Sequence, residues 1–327
     1  MKQKNKRKKY LFILVFLTSM LLTTTSYAWF TTSRIVTINM LNLHVSAEGG
    51  LEISADAVNW KSILETDDLR NARDQYLTSK NQIPNWLNPS STGGTVSNGE
   101  LYLYQGQGTN DIGDKFILTT TRALEEEGFG DENTNGFVAF DIFLRTSTPK
   151  TLYLTSNAGV YYNGNDNSGI ENAFRIAFLK EGTLPKDASV SSIQRLNGAD
   201  KAYIWEPNYD VHTESGVRNA FDVYGITTTT SNGSLLSYDG VISEITTADN
   251  VSLDKANSTN YPQFFKKVNV DYATVANFQQ NITLFDLEIG VTKFRIYIWI
   301  EGQDVDCEND ASIGDVILNL QMSTNPS

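Results

Sequence analysis

Across 327 residues the chain carries 38 Asp and Glu against 26 Lys and Arg, a formal net charge of −12, and a single cysteine. Such an excess of acid repels nucleic acid and anionic lipid, so neither is expected as a partner, and one cysteine excludes an intramolecular disulfide framework. The length suits one large or two small domains with cores of their own.

Lys2, Lys4, Lys6, Arg7, Lys8 and Lys9 precede an apolar run from Tyr10 to Leu22, and small residues Ser26 and Ala28 follow. This is the order of a secretory signal, with Ser26 and Ala28 at the −3 and −1 subsites of signal peptidase. The run of 13 residues, interrupted by Thr18 and Ser19, is shorter than the roughly 20 a spanning helix needs. Residues 1–28 are therefore read as a removed signal, the mature chain as 29–327, and the location as secreted, extracellular or at the cell surface; a membrane is met only through the signal segment if it stays uncleaved. Without the six basic residues of the leader, 20 basic face 38 acidic side chains, a net of −18.

The next segment alternates on one phase through Val36, Ile38 and Met40 and on the other through Leu41, Leu43 and Val45, which predicts a strand with a bulge or bend near Met40. Gly49-Gly50 then turns the chain into Leu51-Glu52-Ile53-Ser54. A strand so close to a new N-terminus either joins its own sheet or fills a groove of a neighbouring copy. In the second case residues 29–46 are the donor segment. Ile35, Val36, Ile38, Leu41, Leu43 and Val45 then form the assembly strand, main-chain hydrogen bonds supplying the contact and alternate side chains fixing the register.

Period-two alternation continues down the chain. Val138, Phe140, Ile142 and Leu144 share one face, as do Phe294, Ile296, Ile298 and Ile300, and then Val316, Leu318, Leu320 and Met322. Further strands are predicted at Leu101–Tyr104, Phe116–Thr120, Thr151–Thr155, Phe174–Leu179, Ala202–Trp205 and Ile282–Ile289. Turn-rich segments such as 90–94 and 163–169 separate them. Helix is expected only at Leu64–Tyr76, capped by Thr66, and at Arg122–Glu127. The sum is an all-β protein: an antiparallel β-sandwich of jelly-roll type, with polar loop insertions and one or two short helices, forming one elaborated domain over 29–327. Phe174-Arg175-Ile176 with Glu181-Gly182 is echoed at identical spacing by Phe294-Arg295-Ile296 with Glu301-Gly302. Phe140-Asp141-Ile142 before the first resembles Phe285-Asp286-Leu287 before the second. Coincidence among strand-rich segments and an internal duplication both account for this.

No catalytic constellation emerges, and no enzymatic activity is expected. His44 and His212 are the two histidines, neither in a zinc-binding arrangement, and both are read as solvent-facing residues. A nucleophile-elbow serine is missing, and Gly106-Gln107-Gly108 lacks the third glycine of a dinucleotide loop. No cofactor is called for. Asp304, Asp306, Glu308 and Asp310 cluster past a strand end, where oxygen ligands can gather around calcium or simply be solvated, and Glu125-Glu126-Glu127 and Asp131 are weaker candidates. Trp60, Trp86, Trp205 and Trp299 serve either as core residues or as platforms for sugars. Cys307 is expected to be a half-buried, inert thiol.

Tyr27-Ala28-Trp29-Phe30-Thr31, an apolar strand, and then Gly50-Leu51-Glu52-Ile53-Ser54 resemble the start of secreted proteins of the TasA and camelysin type from Gram-positive bacteria. The stretch Arg295 to Cys307 resembles a tail of uncharacterised secreted relatives of that group. The resemblance implies a jelly-roll subunit of extracellular biofilm-matrix fibres, partnered by itself or by other matrix and cell-surface components, with residues 29–46 as the joining strand. It also implies a metalloprotease activity for camelysins, for which this chain has no zinc motif. Two other functions fit the residues. A carbohydrate-binding adhesin module would expose Trp or Tyr to glycans, and a glycosidase-like hydrolase would hold two carboxylates roughly 5–10 Å apart in a cleft.

Overall fold

The computed structural model describes residues 36–45, 51–84, 86–113, 115–125, 136–162, 169–208, 211–214, 216, 238–268, 270, 272–273, 281–304, 306–307 and 315–325. The signal with Ser26 and Ala28, the first assembly residue Ile35, and Glu308 and Asp310 of the acidic cluster lie outside them.

Two large sheets dominate. The first runs β19 (Ile282–Leu287), β11 (Lys150–Leu154), β21 (Asp315–Ser323), β1 (Val36–Val45), β3 (Ile63–Leu64), with β12 (Gly159–Tyr162) also on β21 and β4 (Trp86–Leu87) also on β1. The second runs β18 (Tyr272–Ala273), β14 (Tyr203–Glu206), β13 (Phe174–Leu184), β20 (Gly290–Ile300), β10 (Val138–Thr146), β2 (Glu52–Ser54). Period-two alternation puts Phe140, Ile142, Phe174, Ile176, Phe294, Ile296 and Ile298 of the second sheet into one cluster with Leu152, Leu154, Val316, Leu318, Leu320 and Met322 of the first. That shared core makes the molecule an all-β sandwich. Among the described strands of the two large sheets, β1 with β21 and β14 with β18 are parallel and the other pairs antiparallel.

The expectation of one buried face per strand fails for the second sheet. Every one of the 11 residues of β20 is buried. The outward-facing Ala139, Ala177, Leu179, Ile204, Tyr297 and Trp299 cluster with Leu101, Leu103 and Val268 from outside the sheet. The cover comes from segments between the main strands. β8 (Leu103–Ile112) and β9 (Lys115–Ala123) form a sheet with β5 (Ser90–Ser91) and β16 (Val251–Ser252), and two hairpins pair β6 (Val96–Ser97) with β7 (Glu100–Leu101) and β15 (Tyr238–Val241) with β17 (Phe265–Val268). Ser90 and Ser91, predicted in a turn, are wholly buried, and the Ser90 carbonyl accepts from Gly302 N at 2.9 Å.

Among the described residues the α-helices are short: α1 (Thr66–Arg70), continued by a 3-10 turn at Asn71–Asp74, and α2 (Val190–Gln194), with Glu214 and Gly216 also helical. Thr66 is the first helical residue, not the cap. Glu65 holds the cap position, its N–H donating to Asp68 Oδ2 at 3.0 Å. The second expected helix does not form at its start, because Arg122 belongs to β9. α2 begins instead where Ser189 Oγ accepts from Ser192 N at 3.2 Å.

The internal echo has a structural counterpart. β13 and β20 are neighbours at the centre of the second sheet, with Phe174 opposite Ile300, Ala177 opposite Tyr297 and Lys180 opposite Phe294. This register is that of a local two-fold axis at the Ala177–Tyr297 pair: Phe174 faces Ile300, and its counterpart Phe294 faces Lys180, the counterpart of Ile300. The flanking strands follow it: Trp205 of β14 lies opposite Ile176, and Phe140 of β10 opposite Ile296. The counterpart of β10 is thus β14. Phe285-Asp286-Leu287 of β19 belongs to the other sheet and has no part in this symmetry.

Gly290 opens β20 with φ +135°, and a Cβ there would stand 2.3 Å from the Leu184 carbonyl oxygen. Gly290→Ala is expected to cost about 1–3 kcal/mol, the scale of one residue forced into such a conformation, read as a lowered urea midpoint with unchanged slope.

Candidate functional site

The assembly strand lies in its own sheet. β1 pairs with β21 from Thr37–Asp315 to Val45–Met322, and on its other edge with β4 at Val36–Leu87 and β3 at Leu43–Leu64. The register slips between Ile38 and Met40, where the change of alternating phase predicted a bulge. Opposite Ile38, Leu41, Leu43 and Val45 stand Val316, Leu318, Leu320 and Met322, all buried in the main core.

Asp304 and Asp306 are turned inward rather than toward solvent. Asp304 Oδ2 lies 2.5 Å from Arg175 Nη2, and its Oδ1 accepts from Asp306 N at 2.8 Å. Asp306 accepts from Thr213 N and Oγ1 on Oδ1, and its Oδ2 stands 2.8 Å from His212 Nδ1. Donors of the protein thus take up oxygens that a solvated or calcium-binding loop would leave open. Among the described residues no group of three or more His, Cys, Asp or Glu is placed to hold a metal ion. His212, expected at the surface, is buried. Burial alone would lower its pKa, but the hydrogen bond and charge of Asp306 carry it above the ordinary value. Glu206 completes the cluster at 2.9 Å from Arg175 Nη2, and burial pushes its carboxyl up to about 8 against the pull of that guanidinium.

Around the symmetry-related arginine a second cluster forms. Arg295 and Asp141 stand opposite each other in β20 and β10, as Arg175 and Glu206 meet across β13 and β14. Asp141, 2% exposed, takes Arg295 Nη1 on Oδ1 at 2.8 Å and the Tyr76 hydroxyl on Oδ2 at 2.8 Å, with Lys293 Nζ 3.2 Å away. Burial would raise this carboxyl, yet Lys293 and Arg295 outweigh it and hold the group below its ordinary range. Arg295 Nε donates to Glu125 Oε1 at 3.0 Å, and the Tyr297 hydroxyl donates to the same oxygen. The two arginines of the repeated motif are therefore each held by two carboxylates, Arg175 by Glu206 and Asp304 and Arg295 by Asp141 and Glu125.

The second cluster borders a cavity of about 360 Å³. Tyr76, Asp141, Lys293 and Arg295 line it together with Glu125 and Glu181. Asn98 and Gly99, with φ of 53° and 72°, make the two-residue turn between β6 and β7 that an Asn-Gly pair favours in hairpins. The turn brings Gly99 so close that a Cβ would stand 2.6 Å from Glu181 Oε2. Glu181, 2% exposed, accepts from Ala199 N at 3.1 Å on Oε2, while its Oε1 has no hydrogen-bond partner among the described residues. Burial pushes its carboxyl up to about 7. Glu125 Oε2 is likewise buried and without a partner among the described residues. The oxygens of Asp141 are taken up by three donors, so the buried carboxylate oxygens left open among the described residues of the lining are Glu181 Oε1 and Glu125 Oε2.

Of the tryptophans, Trp205 and Trp299 are fully buried core residues, and Trp60 lies under the Arg145 guanidinium at 4.2 Å. Cys307 is more deeply buried than expected, at 2%. Tyr76, Glu181 and Lys293 were not read as site residues in the sequence, although Glu181 stands in the repeated motif. The signal that points to them is charge in mid-strand: Asp141, Lys293 and Arg295 interrupt otherwise apolar β10 and β20. Compared with known proteins, the chain matches no family model, no curated protein and no solved structure.

Proposed function

We propose that the protein is a secreted structural or adhesive component of an extracellular matrix or cell surface, and that β1 of one copy can take the place of β1 in the next. The observation that carries this reading is the position of β1. It is an interior strand of the first sheet, bonded on both edges, yet only residues 46–51 join it to β2. Cleavage after Ala28 leaves seven residues before it. A strand attached at one end can withdraw from its slot, and an identical strand from a second copy re-forms every backbone hydrogen bond in the same register. An emptied slot exposes the β21 edge and the apolar row Val316, Leu318, Leu320 and Met322, so occupation in trans is strongly favoured over vacancy. The secretory leader and the resemblance of residues 27–31 and 50–54 to matrix proteins support the same reading.

Residues 29–327 are expected to form growing oligomers in light scattering after chromatography. Deletion of 29–46 should stop growth and leave a subunit that captures a synthetic peptide of residues 36–45. A species that stays one subunit in mass at every concentration, with a deletion variant that does not bind the peptide, overturns the proposal.

A further inference from the structure

We infer that the cavity bordered by β10, β20 and the Asn98-Gly99 turn binds a neutral, hydroxyl-rich ligand, a sugar ring or the end of a glycan. Two buried carboxylate oxygens, Glu181 Oε1 and Glu125 Oε2, lack a hydrogen-bond partner among the described residues. An acceptor left unmet in this way carries a penalty of about 1–3 kcal/mol, which a ligand with N–H or O–H groups relieves. On the remaining wall the amides of Asn98 and Asn197 and the guanidinium of Arg195 make no side-chain hydrogen bond among the described residues, so donors are offered as well.

That mixture selects the ligand. An ammonium only donates, so the N–H groups of the amides and of Arg195 gain no acceptor from it. A phosphate at neutral pH has one or two O–H groups at most and sets its own negative charge against Glu125 and Glu181. A hydroxyl donates and accepts, and several on one ring meet both sets. Charge agrees, because the lining holds four acidic and four basic side chains and so has no large excess of either sign to favour an ion. Size agrees too, since about 360 Å³ falls within the roughly 300–1,000 Å³ of small-molecule sites. The floor is fixed in advance: Lys293 Nζ donates to the Gln194 carbonyl at 3.0 Å and Arg295 Nη2 to the Lys80 carbonyl at 3.0 Å, besides their bonds to Asp141. Little ordering is left for the ligand to drive.

The test is calorimetric titration of residues 29–327 with glucose, galactose and N-acetylglucosamine, and separately with spermidine and inorganic phosphate. A saccharide is expected to bind at millimolar concentration or below. Glu181→Gln keeps the shape and removes one charged acceptor, so it should weaken that saccharide about tenfold while leaving the melting temperature no lower. Should that variant fold poorly, Asn197→Ala at the rim is expected to weaken binding in the same assay. The inference is overturned by any of three results: no saccharide binding, saccharide binding that neither variant alters, or spermidine or phosphate bound in preference. Failure of strand exchange leaves this expectation unchanged, because β1 contributes no residue to the cavity.

Discussion

Arg175→Ala is expected to cost about 3–5 kcal/mol of folding stability, and Arg295→Ala somewhat less. Removing one partner of a buried ion pair strands the other charge away from water, which is the costly case. Arg175 is 1% exposed and faces Glu206 at 2.9 Å and Asp304 at 2.5 Å, so alanine strands the buried Asp304 and removes the donor and cation that Glu206 faces. At the related position Lys293 still stands 3.2 Å from Asp141 after Arg295 is removed, which keeps one carboxylate compensated. Urea unfolding of both variants gives the ranking. Equal losses at the two arginines would sink this account of Lys293.

A melting temperature that falls between about pH 5 and pH 8 is the second large expectation. Glu181 and Glu301 are buried, and burial pushes both carboxyls up to about 7, while Glu206 is pushed up to about 8. A folded-state pKa above the unfolded value means the native protein holds the proton more tightly. The stabilisation is complete below the ordinary value of 4.5 and is lost as pH rises toward the folded value. For one glutamate moved from 4.5 to about 7 the change is on the order of 3 kcal/mol. His212, also raised, acts in the same direction. Asp141 and Asp56 are lowered, so their contribution is present above the ordinary carboxylate range and lost in stronger acid, which places the optimum near about pH 5. Glu301→Gln should flatten the decline, since that group is fully buried against Trp299 Nε1 at 3.0 Å and has no counter-ion within ion-pair distance among the described residues. A melting temperature that rises from pH 5 to pH 8 would contradict the assignment.

The strands were legible because alternation is local. Phe294, Ile296, Ile298 and Ile300 announce one core face, and the phase change at Met40 announces the bulge, each within a few residues. What covers the opposite face was not legible. Tyr297 and Trp299 read as outward residues of a half-exposed strand until the segments around Leu101 and Leu103 are laid over them, and no short-range pattern encodes that docking. The same holds for the sites. Asp304 and Asp306 look like a solvated acidic loop in sequence, because their partners Arg175 and His212 lie 129 and 94 positions away. The cavity draws on residues from Tyr76 to Arg295, so no motif spans it. Only the repeated Phe-Arg-Ile carried long-range information, and it marked the two arginines around which both clusters form.

The parallel pairing of β1 with β21 also sets an order of events. Val36–Val45 and Asp315–Ser323 stand near opposite ends of the described chain, so the central seam of the first sheet closes only after nearly all of the polypeptide has emerged. The first strand therefore waits without its β21 partner while the intervening chain is made, and this slot is among the last parts of the sheet to be filled. Under the strand exchange proposed above, that late closure is the branch point: a dilute chain would be completed by its own first strand and a crowded one by a neighbour's.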